Sequence, residues 1–178
     1  MGRTVVLYIA MSLDGYIADR AGGVDWLAGH GETPEDDGYG RFIQGVDTVV
    51  MGGRTYRQVA TELSPEAWPY EGLTTYVVTR GGGQSPRPDV VFTGQAPEAL
   101  VRALRDAPGR EIWICGGAEI ARRLMAADLI DRWQLSLIPT LLGGGVRLFG
   151  PLERERRLRL TGSAVRGGIA ELTYERRR

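Results

Sequence analysis

Two residue types are missing from this 178-residue chain: it contains no lysine and no asparagine. Without lysine there is no Walker-type phosphate lysine, no Schiff-base nucleophile and no lysine general base. The single cysteine, Cys115, excludes an intramolecular disulfide and makes a reducing cytoplasm the expected compartment. The single histidine, His30, excludes a two-histidine metal centre, and no metal is expected. No apolar run approaches the ~20 residues of a membrane-spanning helix. The start, MGRTVVLYIAMSLDG, has one arginine and too short an apolar stretch for a signal peptide. Charge of one sign is lacking too. Twenty-two arginines balance 22 acidic residues, so no net field attracts nucleic acid or an anionic membrane.

What is present is an ordinary globular composition, 43% hydrophobic and 25% charged, in a length that suits one domain. Apolar runs rich in β-branched residues predict strands at Thr4–Ala10, Thr48–Met51, Thr74–Thr79, Val90–Phe92, Ile112–Cys115 and Trp133–Ile138. Arg157–Ser163 and Ile169–Glu175 read as a terminal hairpin turning at Arg166-Gly167-Gly168. Helical spacing of Tyr39, Phe42, Ile43 and Val46 predicts a helix over Glu35–Gln44. "PEALVRALRDA" and "AEIARRLMAADL" predict two more, the first with proline in its opening turn. Alternating strands and helices imply a largely parallel sheet covered on both faces, with an antiparallel hairpin at one edge. Three long stretches, residues 12–34, 62–72 and 139–151, fit no regular element, and loops of that length in a compact domain are usually functional or mobile.

Two stretches repeat one design. "TVVMGGRTY" and "IWICGGAEI" each place two glycines between an apolar strand and a helix start. Glycine there lets a ligand approach the backbone, and the free amides of the following helix attract phosphate. Arg54 and Thr55 add a charged fork and a hydroxyl. One such pair is explained by a tight turn alone; two in one small α/β domain point to a dinucleotide. The common fingerprints are absent, since no G-x-G-x-x-G follows a strand and no Walker motif occurs.

The segments "MSLDGYIA", "GGVDWL", "VVMGGRTY", "YVVTR", "ICGGAEIARRLMAADLID" and "LSLIPTLLGGGVRLF" occur in the order seen in the dihydrofolate reductase superfamily. They resemble most the branch containing the reductase domain of the bifunctional riboflavin-biosynthesis deaminase-reductase and its stand-alone relatives. The resemblance implies a three-layer α/β fold with a central, mainly parallel sheet of about eight strands, as one domain over residues 1–178. It also implies NADPH as hydride donor, a small-molecule substrate and a homodimer, for which "LSLIPTLLGGGVRLF" offers apolar surface.

Position by position, Ala10 and Ile17 would border the nicotinamide, with "MSLDGYIA" as a mobile loop beside it. Gly52, Gly53, Arg54 and Thr55 match the segment at the cofactor phosphates, and Gly116, Gly117, Ala118 and Glu119 match the second turn, at the pyrophosphate. Thr79 and Arg80 match the grip on the adenosine 2′-phosphate. Asp36 aligns with the substrate-binding acid of dihydrofolate reductases, and Asp37 beside it leaves that acid ambiguous. Riboflavin-pathway reductases carry an acid after the "RTY"-like segment, where Glu62 is the nearest candidate. Asp36 and Asp25 are thus the catalytic candidates; Asp14, Trp26, Asp37 and Glu62 join Asp36 as substrate-binding candidates. For Asp14 a turn-forming role competes, and for Trp26 a place over the core. No basic cluster marks a pocket for a substrate's ribose phosphate. The expected activity is hydride transfer to a C=N or C=O bond of a small heterocycle, such as a ribosylaminopyrimidine or a pterin. The alternative is a non-catalytic nucleotide-binding or assembly protein that keeps the fold.

Overall fold

The computed structural model describes residues 2–30, 38–81, 83 and 85–177. In chain order its elements are β1 (Val5–Ser12), β2 (Tyr16–Ala18), α1 (Gly38–Gln44), β3 (Val46–Gly52), α2 (Gly53–Gln58), β4 (Thr74–Val78), β5 (Val90–Thr93), α3 (Pro97–Asp106), β6 (Glu111–Gly116), α4 (Ala118–Ala126), β7 (Arg132–Ile138), β8 (Val146–Arg147), β9 (Leu158–Arg166) and β10 (Ile169–Arg176). Eight strands form one sheet in the order β5-β4-β3-β6-β1-β7-β10-β9. The first six are parallel, and β10 pairs antiparallel with both β7 and β9. This is the expected dihydrofolate-reductase-like arrangement.

Side chains alternate across a strand, so β1 feeds two cores. Val5 and Leu7 join a cluster with Leu100 of α3 and Ile120, Leu124 and Met125 of α4. Val6 points the other way, into a cluster with Phe42 of α1, Val49, Met51 and Trp113. Pro97 opens α3, where a missing amide proton is harmless. Leu124 is fully buried on the inner face of α4, so truncation to alanine should cost about 2–5 kcal/mol.

Several boundaries differ from expectation. β1 runs on to Ser12, and a second, two-stranded sheet pairs β2 with β8 inside stretches expected to be irregular. The helix expected from Glu35 is described from Gly38 onward. The hairpin turns on Gly167 and Gly168, both at positive φ, where the backbone twist of a two-residue turn requires it. The peptide bond before Pro139 is trans. Among the described residues no helix is long and apolar enough to cross a membrane.

Candidate functional site

β3 and β6 are parallel neighbours with Met51 in register with Gly116. Their carboxyl ends, and therefore both glycine turns, lie side by side. Gly117 has φ +84, and a Cβ there would sit 3.8 Å from the Gly52 nitrogen and from Thr55 Oγ1. A Cβ on Gly116 would press on Thr55 Cγ2 at 3.3 Å, and one on Gly53 would press on Thr79 Cβ at 3.3 Å. Gly52, Gly53, Thr55, Thr79, Gly116 and Gly117 are thus one continuous rim of bare backbone and hydroxyls. α4 starts at buried Ala118, directing its first amides and the positive end of its dipole at this rim. Arg54 and Arg80 are exposed beside it, as is Glu119 in the first turn of α4. The bare glycines let the two turns pack this closely, and the first amides of α4 with the exposed arginines beside them suit a phosphate-bearing ligand.

The "MSLDGYIA" segment is fastened rather than free. The buried Ser12 hydroxyl donates to Asp14 Oδ1 at 2.6 Å and accepts the Tyr16 amide at 2.9 Å. The Asp14 carboxylate also accepts the amides of Leu142 at 3.1 Å and Gly143 at 2.8 Å. Leu13 donates to the Thr140 carbonyl, Leu148 to that of Gly15, and the Arg147 guanidinium lies 4.6 Å from the centre of the Tyr16 ring. A Cβ on Gly145 would collide with the Ala18 carbonyl, so only glycine admits this approach. The Ser12 hydroxyl foremost, with the Gly143 and Leu142 amides, holds the Asp14 carboxyl at about 2 against the opposing pull of desolvation. Asp14 therefore ties two loops together, instead of only shaping the turn at Gly15. In this conformation the segment expected to be a mobile loop is bonded to the loop at 140–143.

The other expected residues are dispersed. Ile17 packs on the α4-side core, and Ala10 sits opposite Ser136 of β7. Asp25 and Trp26 lie in a short 3-10 turn, Asp25 exposed and the Trp26 indole nitrogen buried without a partner. Glu62 is exposed in a π-type turn at residues 59–63 that prolongs α2. Asp36 and Asp37 lie outside the described residues. Cys115 meets the Tyr70 hydroxyl at 3.5 Å, and burial pushes its thiol up to about 11, away from the thiolate form. Among the described residues no cluster of histidine, cysteine and carboxylates could hold a metal. Two residues not singled out from the sequence have positioning roles: Ser12, inside "MSLDGYIA", and Gln58, which donates to the Gly22 carbonyl at 3.1 Å and ties the loop after β2 to α2. The only local signal for Ser12 is its place two residues before Asp14.

A parallel sheet with paired glycine turns at adjacent strand ends, closed by an antiparallel hairpin, defines a reductase-like α/β fold. The chain belongs to the RibD C-terminal domain family, whose model matches residues 3–168. It is 41% identical over 176 residues to the uncharacterized protein YwjB of Bacillus subtilis, covering 99% of each chain. It is 28% identical over 158 residues to the riboflavin biosynthesis protein RibD of Chlamydia trachomatis, covering 81% of this chain but 40% of that one. Among solved structures, a putative riboflavin biosynthesis protein from Shewanella sp. PV-4 superposes with TM-score 0.84 at 32% identity, over 100% of both chains. The deaminase/5-amino-6-(5-phosphoribosylamino)uracil reductase of Thermotoga maritima matches in fold, with TM-score 0.70 at 15% identity over 99% of this chain and 57% of that one.

Proposed function

We propose that this protein is an NADPH-dependent reductase that delivers hydride to a C=N or C=O bond of a small planar heterocycle. The observation that carries the reading is the abutment of the two glycine turns, Gly117 against Gly52 and Thr55, in a chain of this family. Gly52, Gly53, Thr55 and the amides at the start of α4 would hold the phosphates. Thr79 and Arg80 would hold the 2′-phosphate, with Arg54 as a further charge on the rim. The cofactor, when bound, supplies the hydride; the protein supplies orientation, exclusion of water and a proton. The Ser12–Asp14 tie keeps the segment from Ala10 to Ile17 in one conformation beside the reacting face. Asp36 is the first residue to test as substrate anchor, with Asp25, Asp37 and Glu62 after it. The test is NADPH titration joined to cofactor oxidation with a panel of pyrimidine and pterin substrates. Turnover supports the reading. NADPH binding without turnover of any substrate favours a non-catalytic nucleotide-binding protein, and no NADPH binding removes both.

A further inference from the structure

Among the described residues, the face of the sheet that carries α1 is open beyond β1. There, a cavity of about 530 Å³ lies between α1 and the strands β7, β10 and β9. Its floor is two registered rows of side chains. One row runs Tyr8, Gln134, Thr173, Gly162; the next runs Ala10, Ser136, Glu171, Ala164. Ser136, which lines the cavity, is in register with Ala10, the residue expected beside the nicotinamide, so this end of the cavity lies next to that position.

The cavity is polar, and two of its three arginines are paired within the lining. Arg132 pairs with Glu111 and Arg166 with Glu171, both inside the lining. Arg41 is engaged as well. Gly38, in the first turn of α1, packs against the Arg166–Glu171 pair, where a Cβ would lie 3.4 Å from the guanidinium. A phosphate reaching Arg132 or Arg166 would have to displace a carboxylate and then face it as a like charge. The uncharged lining has the opposite character. Ser136 and Thr173 present hydroxyls that can donate or accept, and Gln134 Oε1 is buried with no donor. An unsatisfied buried carbonyl oxygen is costly unless a ligand or water supplies the missing hydrogen bond.

We infer that this cavity binds the uncharged, polyhydroxyl part of the substrate, such as an unphosphorylated sugar or sugar alcohol, with the planar ring held at the Ala10–Ser136 end. The inference rests on the reductase reading and narrows its substrate class to heterocycles whose sugar carries no phosphate. A hydroxyl chain donates to Gln134 and exchanges bonds with Ser136 and Thr173, while both ion pairs stay intact.

The probes are uracil, uridine and uridine 5′-monophosphate, titrated by calorimetry in saturating NADPH, with NADPH binding measured separately. Uridine should bind at least about tenfold more tightly than either uracil or the monophosphate, the scale of one or two hydrogen bonds. Gln134→Met, close in volume, should weaken uridine about tenfold without lowering the melting temperature or NADPH affinity. A merely structural glutamine would show the reverse. Tighter binding of the monophosphate, abolished by Arg166→Ala, would overturn the inference in favour of a phosphate site. Normal NADPH binding with no uridine binding overturns it and leaves the reductase reading standing. Absent NADPH binding removes the reading and the inference with it. A dimer in sedimentation that Thr173→Arg dissolves would make the cavity an interface between copies, and the inference would fall.

Discussion

Replacing Gly117 by alanine separates the cradle's role from the fold's. Gly117 has φ 84 and ψ 117, a backbone conformation that residues with a Cβ avoid. The added methyl would sit 3.8 Å from the Gly52 nitrogen and Thr55 Oγ1, an ordinary contact, so the penalty is backbone strain rather than collision. Such strain costs about 1–3 kcal/mol. For a chain of this size that lowers the melting temperature by roughly 2–12 °C. Gly72→Ala is the control: φ is +81, nothing lies within 4 Å of its Cβ, and it precedes β4 at the end of the sheet away from the glycine turns. It carries comparable strain and leaves the cradle untouched. A ligand specific for the native state, present at about 100 times its dissociation constant, adds about 2.7 kcal/mol, or roughly 5–11 °C. Thermal melts with and without NADPH should show that rise in the wild type and in Gly72→Ala. In Gly117→Ala the methyl occupies the space between the two turns, and most of the rise should vanish. If Gly117→Ala keeps the whole rise, the paired glycines do not face the cofactor. If the wild type shows none, the ligand is not NADPH.

Arg80→Ala should weaken NADPH by roughly 10–150-fold, the scale of a charge-assisted hydrogen bond, and leave NADH unchanged in fluorescence titration; equal losses for both would move Arg80 off the 2′-phosphate. Asp36→Asn should lower turnover on the active substrate with NADPH affinity unchanged, as read by single-turnover kinetics; full turnover would pass the role to Asp25, Asp37 or Glu62. The Asp14 tie should be acid-labile. Its folded pKa of about 2 lies below the ordinary 3.8, so its contribution is complete above that range and lost as pH falls through 2. Melts from pH 5 to pH 2 should therefore drop more steeply for the wild type than for Asp14→Asn, and parallel curves would refute the tie. Leu13 and Leu141, 62% and 70% exposed on loops joined by the Leu13–Thr140 bond, offer apolar surface to a second copy. Sedimentation at micromolar concentration should give a dimer that Leu141→Arg weakens.

The elements that were legible in the sequence are those whose cause is local. A glycine pair after a run such as "TVVM" or "IWIC" needs no partner to be noticed, and neither does the 3.6-residue spacing of Ile120 and Leu124. What stayed hidden depends on which strands become neighbours. Gly117 touches Gly52 because β6 lies beside β3, an adjacency between strands that are not consecutive in the chain. Asp14 reads as a turn residue because its own neighbours are turn-like, while its amide partners lie 128 and 129 residues away. β2 and β8, of three and two residues, are too short to display a period of two.

β7 stands between these cases. In "RWQLSLI" the alternation puts Trp133 and Leu135 on one face, where both are buried, and Gln134 and Ser136 on the other. A parallel strand inside a two-sided core should be apolar throughout, as β3 nearly is. The polar face of β7 therefore marks the place where that covering stops. Among the described residues, α1 packs through Phe42 on Tyr8 and Trp113 and meets the hairpin at Gly38, and the hairpin carries Thr173 and Glu171 on the same face. A fold that needed only stability would close this gap with aliphatic side chains. Here it is lined with hydroxyls, an amide and three arginines, two of them paired inside it, next to the residue expected beside the hydride donor. That combination is the physical basis for placing the substrate's uncharged tail there.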